Sequence, residues 1–172
     1  IDFSIPEATF NILKFANIHK IPTVIATTGF SDEQLEKIEE YSKAFPIFKS
    51  ANMSYEINLM SKLVAELSQK LYDSDIEIIE THHNQKKDAP SGTAVKTALM
   101  MAGENTNFTT GNCQETETIL GARGANSYNN IHIHSVRMPG YIASQEVLFG
   151  ANGQLLSIRH DSMNRECYMD GV

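Results

Sequence analysis

The sequence predicts an α/β fold followed by an α+β one: the remnant of a doubly wound parallel domain, then a domain built on a mixed or antiparallel sheet. Three observations predict it. Residues 1–53 alternate helical segments with short β-branched apolar runs, the rhythm of a doubly wound sheet. Residues 55–71 carry a long apolar stripe at helical spacing. Beyond Asn105 the period changes to two, and Asn-Gly and Pro-Gly turns punctuate the chain.

Ile1-Asp2-Phe3-Ser4 reads as the end of a strand, so the chain is expected to start inside a domain. Ser4-Ile5-Pro6-Glu7 has the form of a capping box, with proline tolerated in the first turn. Ala8, Ile12, Phe15 and Ala16 then share a helical face. Ile21 to Ala26 is a buried parallel strand by composition, and Thr27-Thr28-Gly29-Phe30 is the turn after it. Ser31-Asp32-Glu33-Gln34 is a second capping box. Leu35, Ile38, Ser42 and Phe45 carry that helix to Pro46, which stops it. Pro46-Ile47-Phe48 starts another strand, followed by Ser50-Ala51-Asn52-Met53-Ser54.

The next helix has Ile57, Met60, Leu63, Val64, Leu67 and Leu71 as its core stripe. Ile76, Ile78 and Ile79 form a short strand after the turn-like Asp73-Ser74-Asp75. A polar loop follows. Ser91 then caps a helix whose apolar positions Val95, Ala98, Leu99 and Ala102 lead to Gly103. Thr116 to Leu120, Ile131 to Val136, Ala143 to Phe149 and Gln154 to His160 read as strands, with turns at Met138-Pro139-Gly140 and Ala151-Asn152-Gly153.

Composition narrows the function. The chain has 172 residues, 41% hydrophobic and 20% charged, the profile of a soluble globular protein rather than a disordered one. Its formal net charge of -7 argues against nucleic acid and anionic membranes as partners. No apolar run reaches the ~18 residues that a membrane span needs. Cys113 and Cys167 match no metal spacing; they suit a reducing compartment, with one disulfide as the alternative. The location expected is the cytoplasm.

Against that acidic background, fifteen residues stand out: Glu80-Thr81-His82-His83-Asn84-Gln85-Lys86-Lys87-Asp88-Ala89-Pro90-Ser91-Gly92-Thr93-Ala94. The expected layout is strand, polar loop, helix N-terminus, with His82, His83, Lys86 and Lys87 all in the loop. The first amides of a helix are unpaired donors with partial positive charge, so this layout makes an anion site. Histidine also suits proton transfer near neutrality. A polar loop with two lysines is ordinarily only a solvated connection; two adjacent histidines beside a helix start are harder to read that way.

This run resembles the signature of the dihydrodipicolinate reductase (4-hydroxy-tetrahydrodipicolinate reductase) family, roughly E-x-H-H-x-x-K-x-D-A-P-S-G-T-A. The similarity extends to Ala26-Thr27-Thr28-Gly29, where the family usually has G-T-T-G, to Ser50-Ala51-Asn52-Met53-Ser54, and to His134–Gly140, Gln145–Gly150 and Arg159–Ser162. The resemblance implies reduction of a cyclic unsaturated dicarboxylate by NADPH or NADH, in diaminopimelate and lysine biosynthesis. It implies His82 as general acid, Lys86 stabilising or protonating the nitrogen side, and His83 with the Gly92-Thr93 amides binding substrate carboxylate. It places Ala26, Thr27, Thr28, Ser50, Ala51, Asn52 and Met53 at the nicotinamide cofactor, and implies a homotetramer. The domains expected are 1–53, the C-terminal part of a Rossmann-like dinucleotide domain; 54–164, for substrate binding and tetramerisation; and 165–172, returning to the first. No G-x-G-x-x-G occurs in these residues, and the family carries that turn upstream; a chain lacking its front and its last residues is expected.

Two rival readings follow from the same residues. His132 and His134 alternate on a strand, and with His82 and His83 they suggest a zinc-dependent hydrolase. A non-catalytic oligomerisation module would explain the strands but not the histidine–lysine loop. The reductase reading expects no metal.

Overall fold

Two separate sheets carry the chain in this computed structural model, which describes residues 1–105 and 115–172. The backbone divides into one unit of Ile1–Met53 with Tyr168–Val172 and another of Ser54–Cys167. The sequence reading put the second boundary at 164/165.

In the first unit, α1 (Pro6–His19), β1 (Thr23–Ile25), α2 (Asp32–Ser42) and β2 (Ile47–Lys49) alternate, and β1 pairs parallel to β2. Asp2 bridges Ile25 in parallel, extending the pair by one position. Leu13, Ala16, Ile25, Ile38 and Phe45 form the core. The capping box at Ser31 forms as expected: its hydroxyl accepts from the Gln34 amide at 3.3 Å, and the Gln34 side chain accepts from the Ser31 amide at 2.9 Å. The one expected at Ser4 does not. The Ser4 hydroxyl donates to Asp2 instead, and Ile5 takes the cap position without a side-chain bond. The buried face of α1 also differs, consisting of Thr9, Leu13 and Ala16, while Ile12 and Phe15 are exposed. Thr9 turns inward because its hydroxyl donates to the buried Asp2 carboxylate at 2.5 Å.

In the second unit, α3 (Tyr55–Lys70) and α4 (Gly92–Glu104) pack on one face of a five-stranded sheet of order β4-β5-β3-β6-β7. The strands are β3 (Asp75–His82), β4 (Ala125–Tyr128), β5 (Ile131–Arg137), β6 (Ala143–Ala151) and β7 (Gln154–Ser162). Only β3 and β5 pair parallel; the other pairs are antiparallel. Because side chains alternate across a strand, register assigns every residue to a face. Ile76, Ile78, Ile131, Ile133, Val147 and Phe149 meet Met60, Val64, Ala94, Ala98 and Met101 of the helices. Truncating one of these to alanine costs about 2–5 kcal/mol. Glu77, Ile79, His132, His134, Glu146 and Leu148 lie on the other face.

The strand expected over Thr116 to Leu120 is a turn region instead. The Glu117 carboxylate accepts from the amides of Gly121 and Arg123, both at 2.9 Å, which curls the chain locally. Ile119 and Leu120 are exposed, so their apolar character buries nothing. A 3₁₀ helix, Arg165–Gly171, precedes the end of the chain. Cys167 is a free thiol, and Cys113 lies outside the described residues.

Candidate active site

The parallel pairing of β3 with β5 brings two carboxyl ends to one edge of the sheet. His82 and Arg137 are register partners there, each the last residue of its strand. His82 is thus strand, not loop as the sequence reading had it: the ladder continues through Glu80, Thr81 and His82 because β5 and β6 flank them on both sides. Glu80 has 0% relative exposure. Its Oε2 lies 2.6 Å from His82 Nδ1 and accepts from Arg137 Nη1 at 2.8 Å. Its Oε1 accepts from Arg137 Nη2 at 2.8 Å and from the Ser91 amide at 3.1 Å. Burial pushes the Glu80 pKa up, but hydrogen bonds from His82, Arg137 and Ser135 outweigh it and hold the group down at about 2.

Past the strand the chain makes a β-turn, closed by the Lys86 amide donating to the His83 carbonyl at 3.2 Å. The turn places His83 and Lys86 at its two ends. The Lys86 ammonium rests on both oxygens of Asp88, at 2.7 and 2.8 Å. Asp88's own carbonyl accepts from Arg137 Nη2 at 2.8 Å, which ties the loop back to β5. His83 Nδ1 is buried with no hydrogen-bond partner among the described residues. Lys87 is exposed.

The loop ends at the cis peptide Ala89–Pro90, and α4 begins. Ser91 caps the helix, its hydroxyl accepting from the Ala94 amide at 3.2 Å. Gly92 and Thr93 are therefore the first helical residues, as expected. A buried polar relay steadies this first turn. Gln145 of β6 donates to the Thr97 hydroxyl at 3.0 Å, and that hydroxyl donates to the Thr93 carbonyl at 2.9 Å. Gly92 offers an exposed, side-chain-free approach to the helix end.

His132 and His134 lie elsewhere. They pair with Glu77 and Ile79, so their side chains leave the sheet on the face opposite to Glu80 and His82. His134 Nε2 is 2.6 Å from Glu77 Oε2, and His132 Nδ1 is 2.9 Å from the Arg123 carbonyl. Arg123 bridges Glu77 and Glu115 at 2.7 and 2.8 Å. Burial pushes the His132 imidazole below its ordinary value. The pleat therefore sets His82 on the opposite face of the sheet from His132 and His134, so these three do not converge on one metal ion.

In the first unit, the loops after β1 and β2 lie side by side at the carboxyl ends of parallel strands. The Ser50 amide donates to the Ile25 carbonyl at 3.1 Å, joining their roots. Thr28 and Ala51 are exposed, and Ala26, Ser50 and Asn52 are half-buried. Thr27 and Met53 are buried. The Thr27 hydroxyl accepts from the Ser4 amide at 2.9 Å, and its side chain also hydrogen-bonds the Asp2 carboxylate.

Three residues of the edge had no role in the sequence reading: Glu80, Asp88 and Arg137. One signal was available for Glu80. It is the third inward position of a strand whose two preceding inward positions, Ile76 and Ile78, are apolar. A carboxylate there must be paired. Arg137 could not be matched to it from sequence, because the pairing spans 57 positions.

The chain thus carries a parallel-stranded unit with paired post-strand loops and a mixed-sheet unit whose β3–β5 edge bears a histidine–lysine segment before the start of α4. The chain belongs to the dihydrodipicolinate reductase family. Residues 1–53 match the model of the dihydrodipicolinate reductase N-terminus, and residues 56–172 that of its C-terminus. The chain is 41% identical over 172 residues to the 4-hydroxy-tetrahydrodipicolinate reductase of Synechococcus elongatus, covering all of this chain and 63% of that protein. It is 45% identical over 174 residues to that of Lysinibacillus sphaericus, covering 64% of it. A solved structure, dipicolinate-bound dihydrodipicolinate reductase from Paenisporosarcina sp. TG-14, is similar with a TM-score of 0.79 and 43% identity, over 99% of this chain and 64% of that one. The chain thus spans less than two thirds of the length of these relatives.

Proposed function

We propose that this chain takes part in the NAD(P)H-dependent reduction of 4-hydroxy-tetrahydrodipicolinate to tetrahydrodipicolinate, in diaminopimelate and lysine biosynthesis. One observation carries the substrate reading. His83 with its unpaired buried nitrogen, Lys86, and the start of α4 all belong to one short segment at the β3–β5 edge. That segment offers a ring nitrogen, an ammonium and backbone amides to an anion, a match for carboxylates. The dipicolinate bound to the Paenisporosarcina relative supports the same ligand class.

In this reading the Gly92-Thr93 amides and His83 hold the substrate carboxylates, and Lys86 stands at its ring nitrogen. His82 delivers a proton to the electron-rich position left by reduction. The cofactor, when bound, supplies the hydride. The residues that would hold it are Ala26, Thr27, Thr28, Ser50, Ala51, Asn52 and Met53. They fit the task in one respect the fold makes plain: they flank the carboxyl ends of adjacent parallel strands, where doubly wound sheets bind nucleotides. Gly29, at φ 85°, gives the first loop its tight exit.

The finer assignments complete the proposal. The second unit associates as a homotetramer through the sheet face that α3 and α4 leave open, where Ile79, Val136 and Leu148 stand among charged groups. The enzyme works in the cytoplasm, in keeping with its acidic charge and a free Cys167; among the described residues no helix is long and apolar enough to cross a membrane.

Calorimetric titration with pyridine-2,6-dicarboxylate tests the substrate site. Binding in the millimolar range or tighter, weakened by salt and by His83→Ala, is expected, since two or three charge-assisted bonds contribute ~1.5–3 kcal/mol each. No binding, or binding indifferent to His83, overturns the reading.

A further inference from the structure

His82 has two ring nitrogens, and only one can face a ligand. Which one is settled by Glu80. An ionised carboxylate only accepts hydrogen bonds. Glu80 stays ionised although fully buried, because Arg137 binds both its oxygens at 2.8 Å and the Ser91 amide adds a donor at 3.1 Å. The 2.6 Å contact with His82 Nδ1 therefore requires the hydrogen to sit on Nδ1. A neutral imidazole carries one N–H, so its lone pair is left on Nε2.

We propose that Glu80 is a positioning residue of the reaction: its carboxylate fixes His82 as the Nδ1–H tautomer and makes Nε2 the nitrogen that delivers the proton. The proposal rests on the reductase reading above. In the step, the Nε2–H bond of the imidazolium breaks and its electron pair stays on the ring. The electron-rich substrate atom left by hydride addition forms the new bond to hydrogen. His82 ends neutral, with Nδ1–H still donated to Glu80. The same carboxylate holds the Ser91 amide and Arg137, so the proton donor, the start of α4 and the end of β5 share one anchor. A salt bridge of purely structural use would need Arg137 but would be indifferent to the imidazole tautomer.

The test is a long-range proton–nitrogen NMR spectrum of the whole chain, labelled at histidine and followed to alkaline pH until the His82 signals no longer change. His82→Gln assigns the signals. The expected spectrum has a protonated-type Nδ1 and an unprotonated-type Nε2 for His82; the reverse overturns the proposal. Glu80→Gln is expected to convert this into a mixture of tautomers and, in a turnover assay, to lower kcat by about 10–100-fold with KM moved far less. An unchanged tautomer in a folded Glu80→Gln also overturns it. Should that variant fail to fold, the unmodified chain's spectrum decides alone. Titration of the same samples with pyridine-2,6-dicarboxylate keeps the two readings apart. A bound dicarboxylate with the reversed tautomer removes the role of Glu80 and leaves the reduction standing. The expected tautomer without binding upholds Glu80's hold on His82 and strikes the substrate assignment only.

Discussion

The ammonium of Lys86 lies in the fork of the Asp88 carboxylate, 2.7 and 2.8 Å from its two oxygens. In the proposed reading, where Lys86 stands at the substrate's ring nitrogen, a bound dicarboxylate draws on this ammonium in competition with Asp88. The pair is partly open to solvent, with side-chain exposures of 20% and 59%, so it holds only about 0.2–1 kcal/mol. Asp88→Asn should therefore tighten pyridine-2,6-dicarboxylate binding by up to about fivefold in calorimetry. Weaker binding in the variant would mean that Asp88 aims Lys86 rather than competing for it.

Lys86 and Lys87 are neighbours with opposite expectations. In a version of the protein that spans the whole length of its relatives, Lys86→Met and His82→Ala should each lower turnover by ~10²–10⁴-fold, the usual weight of a positioned charge or general acid. The exposed Lys87→Met should change it little. Steady-state kinetics on the three variants decides; near-normal turnover in Lys86→Met sinks the assignment.

Acid should loosen the β3–β5 edge. Glu80 has a folded-state pKa of about 2 against an ordinary value of 4.5. A depressed carboxylate contributes stability above the unfolded value and loses it as pH falls toward the folded one. The thermal midpoint should therefore drop between pH 4.5 and about 2, with Asp2 and Glu77, also lowered, adding to the slope. Glu80→Gln should start lower and show a shallower slope. Equal slopes in scanning calorimetry would contradict the ion-pair account.

Two glycines should respond oppositely to alanine. Gly124 has φ 73°, and an added Cβ would sit 2.6 Å from the Ile133 carbonyl oxygen. Gly124→Ala should lose ~1–3 kcal/mol and several degrees of Tm. Gly103, inside α4 with open space around it, should gain about 0.5–1 kcal/mol on the same change. Thermal unfolding of both variants reads the sign.

The open sheet face should drive self-association. Sedimentation at micromolar concentration should find a species larger than a monomer, and Leu148→Glu should reduce it without altering the fold. A clean monomer in the unmodified chain counts against the tetramer.

Much of this was legible in the chain. Local rules placed the Ser31 and Ser91 caps, the Asn152-Gly153 hairpin and Ile57, Met60 and Val64 of the α3 stripe, since each depends on residues within a few positions; Leu63 of that stripe is exposed, and Ser61, Ala65 and Ser68 share the buried face instead. Features set by long-range partners were not legible. Ser4 had a capping partner in sequence but found Asp2 in space. Ile119 and Leu120 looked like strand residues but no strand among the described residues takes them up. β4, with only Ala125, Asn126, Ser127 and Tyr128, has no apolar alternation and owes its strand form to pairing with β5. At the site, the fifteen-residue run marked the loop and helix start. It could not mark that His82 is held by Glu80, or that His132 and His134 leave by the other face, because both depend on which strand lies beside β3.

The parallel neighbour of β3 has a temporal consequence. Arg137 lies 57 positions after Glu80. On a ribosome adding ~5–20 residues per second, that gap lasts about 3–11 s. During it the emerging polypeptide already holds His82, His83, Lys86 and the whole of α4, but not the guanidinium that neutralises the interior Glu80 carboxylate. Until β5 arrives, Glu80 has every reason to stay hydrated, and the histidine loop with it. The β3–β5 edge thus sets only once β5 has emerged, and a protease or chaperone meeting the newborn chain before then would find it open.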